Sequence, residues 1–214
     1  MAQRAKRDIK TSVKAVQPKK TETSKVRGQS EAFTPAEVAL IEHFLINSRC
    51  PLAMRDFALF RLAIDTMLRG SDLIRLTVGD LTPGNSRPEV LTSFWLKQKK
   101  TGAPIRCELT RKTCAALHTY LMRRECLDPK ELLFGISDRQ YRNIIKKLAL
   151  MIRLDPRRYS GHSTRRTKSK EIYAQTKNLA AVRVLLGHKS LGATAAYLGI
   201  DQEDAAAIAR SVEI

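Results

Sequence analysis

The sequence has few aromatic and few acidic residues, and both deficits narrow what the chain can be. Phe, Trp and Tyr make up 6% of the 214 residues, so we expect an aliphatic, helix-rich core. Asp and Glu number 21 against 39 Lys and Arg, which gives a formal net charge of +18. Such a charge attracts polyanions. It therefore predicts a nucleic-acid partner, and on charge alone a ribosomal or RNA-binding role stays open.

Other absences exclude further classes of protein. There is no run of about 18 apolar residues and no signal-peptide core, so an anionic membrane is the weaker partner. The four cysteines form no CxxC pair and have no histidine at zinc-finger spacing; they are Cys50, Cys107, Cys114 and Cys126. Scattered thiols without a targeting segment fit a reducing cytosol. No Asp/Glu metal cluster and no internal repeat is visible. We expect no metal, no cofactor, no membrane contact and a cytoplasmic location.

The N-terminal segment differs from the rest of the chain. Up to residue 30 it carries nine Lys and Arg against two acidic residues, with few large apolar side chains. Such a segment cannot bury enough surface to order itself. We predict a basic, flexible tail over residues 1–32 and one domain over 33–214. The tail is either an arm that binds phosphates without reading sequence or a solvated tail without specific contacts.

Capping signals and apolar spacing predict a mainly α fold, of the α+β kind, with a small three-stranded antiparallel sheet. Thr34, Pro35 and Glu37 form a start signal for a helix over 35–46. The other predicted helices cover about 52–67, 110–124, 138–152, 163–175 and 179–186, followed by a short helix from 190 and a last one from 201. The predicted strands cover 76–81, 90–96 and 104–109.

The residues suited to chemistry cluster near the C-terminal end. His162 and Arg165 are three apart, which places both on one face of a helix. His188 follows after a helical connection, and Tyr197 lies nine residues further on. A cation, two imidazoles and a phenol suit attack on a phosphodiester.

Two earlier segments of the chain carry cationic side chains at positions that also suit contact with a phosphate. Arg69 emerges at a glycine break between apolar runs, with Asp72 three residues later. The pair is either a surface ion pair or an arginine held by Asp72 and aimed at a phosphate. A predicted hairpin carries three lysines, Lys97, Lys99 and Lys100. They are either solubilising residues at the sheet edge or contacts to phosphates.

Taken in order, these features resemble the catalytic domain of tyrosine recombinases, the phage-integrase family. The matching segments, within about residues 34–201, are MLRGSDLIRLTVGDL, QKKTG, GHSTRR and LLGHKSLGATAAY. The resemblance implies site-specific DNA recombination in which Tyr197 attacks the scissile phosphorus, leaving a 3′-phosphotyrosine and a free 5′-hydroxyl. It implies that Arg69 and Arg165 clamp the non-bridging oxygens and that His188 donates a hydrogen bond to them.

The same resemblance assigns three supporting roles. Lys100 acts as general acid to the leaving 5′-oxygen, His162 assists proton transfer at Tyr197, and Asp72 orients Arg69. Arg166 stands where a second histidine is common in the family. The residues expected to contact DNA are Lys97, Lys99, Arg139, Arg142, Lys146, Arg157, Arg158 and Arg166. For the basic helix over 138–152, a solvated face is the rival interpretation.

Partners and alternatives follow from the resemblance. We expect double-stranded DNA as the partner. We also expect a homotetramer on paired sites in which neighbouring subunits exchange the last helix; in the rival arrangement that helix packs on its own subunit. The usual clamp domain does not precede residue 34, which resembles the short recombinases of fimbrial phase variation. That departure suggests that an accessory DNA-bending protein or a partner recombinase takes part. We expect a bacterial or phage protein that associates with the nucleoid. Two other functions stay open: a non-cleaving DNA-binding regulator and a relaxing enzyme similar to type IB topoisomerases.

Overall fold

The computed structural model describes residues 29–82, 89–124 and 128–200, together with 206 and 210, where the backbone is helical. The predictions for the tail up to residue 28, for the rest of the last helix and for Cys126 lie outside the described residues.

Helices account for most of the described elements, and one short hairpin interrupts them. The helices are α1 (Pro35–Ile46), α2 (Ala53–Thr66), α3 (Gly70–Leu73), α4 (Arg111–Leu121), α5 (Asp138–Met151), α6 (Gly161–Thr176), α7 (Leu179–Leu186) and α8 (Leu191–Leu198). The strands are β1 (Ser93–Lys97) and β2 (Pro104–Glu108), and a single 3₁₀ turn spans Pro156–Arg158. The predicted mainly α fold with a small antiparallel sheet is confirmed.

Side-chain caps explain where the helices begin. At α1 the Thr34 hydroxyl accepts from the Glu37 amide at 3.2 Å, and the Glu37 carboxylate accepts from the Thr34 amide at 2.8 Å. This reciprocal cap satisfies two amides that the helix itself leaves unpaired. Helix α6 begins two residues earlier than predicted, because Ser160 caps it by accepting from the His162 amide at 3.2 Å.

The sheet has two strands where three were predicted. Strands β1 and β2 pair antiparallel, with Ser93 opposite Glu108. The segment predicted as a third strand forms one isolated bridge, between Thr77 and Leu132. It does not continue because the Asp80 carboxylate accepts from both the amide and the hydroxyl of Thr77, which turns the chain away from an extended path.

The core is built around α2, in which ten of fourteen residues are buried. This helix packs against α1, α4, α6 and β2. A second, smaller apolar cluster joins the end of α2 to α7 and α8 through Met67, Val182, Leu186 and Leu198. The small cluster fixes the positions of the two C-terminal helices relative to α2. No helix within the described ranges is both long and apolar enough to cross a membrane.

The described chain starts four residues before the predicted domain boundary at Phe33, and these residues lie against α6 and the turn before it. The Ser30 and Ser160 hydroxyls are 2.6 Å apart. The Glu31 amide donates to the Arg158 carbonyl at 2.8 Å, and the two side chains form an ion pair. The segment 29–32 is therefore packed onto the domain.

Candidate active site

Arg165 is buried at the centre of the site, with 2% of its surface exposed. Its guanidinium donates to the Met67 carbonyl and, at 2.6 Å, to the Leu186 carbonyl. These carbonyls lie at the C-terminal ends of α2 and α7, where helices leave carbonyls without intrahelical partners. Arg165 thus ties α6 to both helices. Burial lowers the pKa of Arg165 to about 10, so it stays a cation at neutral pH.

His188 lies beside Arg165, and its hydrogen bonds determine its tautomer. Its Nδ1 is 3.2 Å from the Thr194 hydroxyl, which donates its own proton to the Ser190 carbonyl. Nδ1 must therefore carry a proton, which leaves the Nε2 lone pair 3.5 Å from the Arg165 guanidinium. Burial, and then the charge of Arg165, lowers the pKa of His188 to about 4. The ring is neutral at pH 7, and it can donate through Nε2 only after an anion has raised that pKa.

Tyr197 points into the same cluster from α8. Its ring meets the His188 ring edge-on, with centroids 5.2 Å apart and planes at 85°. The Arg166 guanidinium lies 5.2 Å from the centre of the Tyr197 ring. The hydroxyl is buried and has no hydrogen-bond partner of normal geometry among the described residues. Burial raises the pKa of Tyr197, while the charges of Arg165 and Arg166 lower it.

Arg69 enters the site from the residue before α3, and Gln98 holds it there. The half-buried Arg69 donates to the Gln98 side-chain oxygen at 3.0 Å. That oxygen also accepts from the Thr101 hydroxyl at 2.7 Å. Gln98 is only 1% exposed, and its Nε2 lacks a partner among the described residues. It packs so closely on Gly187 that a Cβ added there would lie 2.7 Å from Nε2.

Sequence reasoning did not single out Gln98. The available signal was its position within QKKTG, at the end of a strand, but a glutamine beside three lysines is an ordinary surface pattern. Its burial and its bond to Arg69 join β1 to the chain before α3 and appear only in three dimensions.

Asp72 does not hold Arg69 as predicted. Its fully buried carboxylate accepts from the Lys99 amide at 2.7 Å and lies 3.7 Å from Arg75. No hydrogen bond or ion pair of the described residues joins the Asp72 carboxylate to the Arg69 guanidinium; the two residues meet only through the backbone, where the Asp72 amide donates to the Arg69 carbonyl at 2.9 Å. The i, i+3 spacing misled because Arg69 is the extended N-cap of α3, with φ −67° and ψ 148°, and so does not share a helix face with Asp72. The structure gives Asp72 the task of anchoring the hairpin.

Lys100 and His162 lie at the edge of the site. Lys100 is exposed on the hairpin turn, which the Gly102 amide closes by donating to the Gln98 carbonyl at 2.9 Å. His162 is exposed in the first turn of α6. Partial burial, and then the charge of Arg165, lowers the pKa of His162. A neutral imidazole at pH 7 is able to accept a proton.

The residues predicted to contact DNA divide into two groups. The exposed ones are Lys97, Lys99, Arg139, Arg142, Lys146, Arg157 and Arg158. Three of them pair with acidic residues: Arg142 with Asp138 at 3.2 Å, Arg157 with Asp155 at 3.0 Å, and Arg158 with Glu31. Arg166 differs, because it is 6% exposed and lies against Tyr197. Its side chain lies inside the domain and not on the surface, so the prediction that Arg166 contacts DNA does not fit its burial.

The described residues offer no group of three His, Cys, Asp or Glu side chains that could hold a metal ion. Three of the cysteines are described, and all three are free thiols: Cys50, Cys107 and Cys114. Burial raises the pKa of Cys107 to about 12, so this thiol is not a nucleophile at neutral pH.

Gln98→Ala should release Arg69 without unfolding the domain. The substitution removes the acceptor for the Arg69 guanidinium and the Thr101 hydroxyl, so we expect any reaction that needs Arg69 to slow about tenfold, the cost of one charge-assisted hydrogen bond. Single-turnover rates on DNA, compared with thermal unfolding, would test this. If Arg69→Ala and the double variant are equally slow, the two residues act as a unit. Additive effects would contradict the coupling.

Relatives with curated names align with most of the length of this chain. The tyrosine recombinase XerC of Neisseria gonorrhoeae (strain ATCC 700825 / FA 1090) is 32% identical over 158 residues, which cover 71% of this chain and 49% of that protein. The chain thus spans about half the length of the XerC relatives. The probable integrase/recombinase YoeC of Bacillus subtilis (strain 168) is 25% identical over 170 residues, with 76% of this chain and 85% of YoeC covered.

Solved structures share the fold at low sequence identity. The XerH site-specific recombinase bound to palindromic difH substrate, in a post-cleavage complex, superposes with a TM-score of 0.66 at 19% identity. The match covers 85% of this chain and 53% of XerH. The catalytic domain of bacteriophage HP1 integrase gives a TM-score of 0.56 at 15% identity, over 85% of this chain and 95% of that domain.

The family-level comparison agrees with the motifs and with the fold. The model of the phage integrase family matches residues 31–204. That range contains the buried cluster around Arg165 and the hairpin that leads to it. The protein belongs to the phage integrase family of tyrosine recombinases.

Proposed function

We propose that this chain cuts and rejoins double-stranded DNA at specific sites through a 3′-phosphotyrosyl intermediate at Tyr197. The observation that carries the proposal is the convergence of the Tyr197 phenol with His188 and with the arginines of α6 in one buried cluster. The XerH site-specific recombinase, which shares the fold, is bound to palindromic difH substrate in its structure, and this supports a DNA site as the substrate of the present chain.

The covalent step exchanges one phosphate ester for another. The Tyr197 oxygen bonds to the scissile phosphorus as the bond from phosphorus to the 5′-oxygen breaks. The phenol proton passes to the neutral imidazole of His162, and Lys100 gives a proton to the departing 5′-oxygen. Because the ester energy is kept in the phosphotyrosine, a 5′-hydroxyl from another strand can reverse the step without an external energy source.

Arg69 and Arg165 stabilise the charge that develops on the non-bridging oxygens. Arg165 is preorganised, since two of its N–H groups are held by the Met67 and Leu186 carbonyls and no reorganisation is needed during the reaction. Arg69 is the residue before α3, and its guanidinium is held in place by the hydrogen bond that it donates to the Gln98 side chain. Binding of the phosphate raises the pKa of His188, so that Nε2 gains a proton and donates to the same oxygens.

The exposed basic residues would bind the DNA backbone. Three of them lie along α5, namely Arg139, Arg142 and Lys146. Lys97 is the last residue of β1, and Lys99 lies in the hairpin turn. Phosphate contacts of this kind make binding depend steeply on salt and do not read sequence. Assembly into a tetramer through the last helix belongs to the same proposal.

Trapping the intermediate tests the proposal and identifies the target site in the same experiment. The protein is incubated with a pool of nicked, partly randomised duplexes, in which the short strand released by cleavage diffuses away and blocks religation. DNA that stays on the protein in SDS is then sequenced. We expect a covalent band whose DNA is enriched for one site. A native-gel complex without any covalent band would contradict cleavage and favour a DNA-binding regulator.

Plasmids carrying the enriched site separate recombination from relaxation. A recombinase yields inversion or deletion products from plasmids with two sites and none from plasmids with one. A relaxing enzyme changes the linking number with one site and yields no recombinants from two. The second pattern would contradict the recombinase assignment while leaving the phosphotyrosyl chemistry in place.

A further inference from the structure

The side chain of Gln29 joins two helices of the active site. Its amide oxygen accepts from the Arg166 guanidinium at 2.5 Å, and its amide nitrogen donates to the Ala196 carbonyl at 3.2 Å. Ala196 immediately precedes Tyr197 in the last turn of α8, and its carbonyl also accepts from the Gly199 amide at 3.2 Å. One side chain from the segment before α1 thus contacts both the arginine over the nucleophile and the backbone that carries the nucleophile.

Arg166 is an unusual arginine in its surroundings. It is 6% exposed, and its Nε has no hydrogen-bond partner among the described residues. No acidic side chain among the described residues forms an ion pair with it. Its guanidinium lies 5.2 Å from the centre of the Tyr197 ring. A buried cation without an acidic partner among the described residues is costly, so its position over the ring calls for a functional reason.

We propose that Arg166 and Gln29 are positioning residues for the nucleophile: Gln29 fixes the Arg166 guanidinium over the Tyr197 ring and holds the end of α8, so that the phenolate formed during attack meets a fixed cation. A guanidinium over an aromatic face attracts the ring, and the attraction grows when the ring becomes a phenolate, because two full charges then face each other. The inference deepens the proposed function and rests on Tyr197 as the nucleophile.

Other groups also act on Tyr197, and the test must separate them. Those that face it from the packed elements are Arg165 and Arg166 on α6, Arg69 before α3, His188 after α7 and Tyr141 on α5. Arg165 and Arg69 are assigned to the phosphate, and His188 is neutral at pH 7. Arg166 is the cation in this group with no proposed contact to the phosphate. Because its charge also lowers the pKa of His162, the effect on the phenol is read from the Tyr197 resonance itself.

The first experiment needs no DNA. Tyrosine labelled with ¹³C at Cζ is incorporated, and the Tyr197 resonance is identified by its loss in Tyr197→Phe. We expect Arg166→Gln to raise the pKa of Tyr197 and Gln29→Ala to raise it less, while Arg166→Lys keeps it nearer to the wild-type value. Arg106→Gln is the matched control, since it removes the same charge from an exposed side chain on β2 that pairs with Glu108.

The second experiment measures adduct formation in a single turnover against pH. Arg166→Gln should slow it about tenfold at neutral pH and move the rising limb of the profile to higher pH, with partial rescue by Arg166→Lys. Gln29→Ala should shift the limb in the same direction. If Arg166→Gln does not fold, Arg166→Lys and Gln29→Ala still decide the question.

Two results would overturn the inference. One is an unchanged Tyr197 pKa in both Arg166→Gln and Gln29→Ala. The other is a uniform loss of rate with no shift of the pH profile, which a merely structural role would give. Absence of any adduct with the wild-type protein would count against the proposed function instead, and the titration without DNA would still report on the contact between Arg166 and Tyr197.

Discussion

Tyr197→Phe should abolish the covalent DNA adduct and leave the fold and DNA binding intact. The substitution removes one oxygen and keeps the ring that packs on His188 and under Arg166. Because that hydroxyl is buried without a partner among the described residues, its loss should leave the domain as stable or stabilise it by about 1 kcal/mol. The measurements are the SDS-resistant band, a native gel shift and thermal unfolding.

Tyr173→Phe serves as the matched control, since Tyr173 lies on α6 beside Lys177 and packs on the same small apolar cluster as Tyr197, but has no role in the proposed chemistry. It should form the adduct at the wild-type rate. An adduct that persists in Tyr197→Phe and maps to another side chain would contradict the assignment of the nucleophile. Loss of both adduct and DNA binding would indicate a structural role for the hydroxyl and count equally against the prediction.

Lys100→Ala should slow cleavage of ordinary DNA by roughly 10²–10⁴-fold, the usual contribution of a general acid. The same variant should lose far less on DNA in which sulfur replaces the bridging 5′-oxygen, because a thiolate leaves without being protonated: thiols have pKa values near 8.5, well below those of alcohols. The exposed side chain can be removed safely, since Asp72 and the Gly102 amide hold the hairpin through backbone contacts. Single-turnover rates on the two substrates provide the test.

Lys97→Ala and Lys99→Ala are the matched comparisons on the same hairpin. If they act by binding the DNA backbone, they should slow both substrates by the same factor. Their loss relative to wild type should shrink as salt is added, because each phosphate contact that is removed lowers the salt dependence of binding. If Lys100→Ala slows cleavage of the oxygen and sulfur substrates by the same factor, Lys100 is not the general acid. Selective rescue of Lys99→Ala by sulfur would transfer the role to Lys99.

Much of the fold was predictable because its signals are local. The capping box of Thr34 and Glu37 placed α1 at its observed bounds, and apolar spacing located α2, α4 and α5 to within a few residues. The third strand was predicted wrongly, because the pattern of residues 76–81 does not reveal that Asp80 folds back on Thr77. A side chain that competes for backbone hydrogen bonds is hard to read from periodicity.

The sequence by itself determined the family, through the order and spacing of GHSTRR, LGH and the tyrosine nine residues later, and with it the candidate residues of the site. Only the tertiary structure decided which residues support them. Gln98 meets Arg69 across 29 positions, Asp72 meets the Lys99 amide across 27, and Gln29 meets Arg166 across 137. Contacts at such separations leave no periodic pattern in the chain, because they depend on how α2, the hairpin and α6 pack around one core.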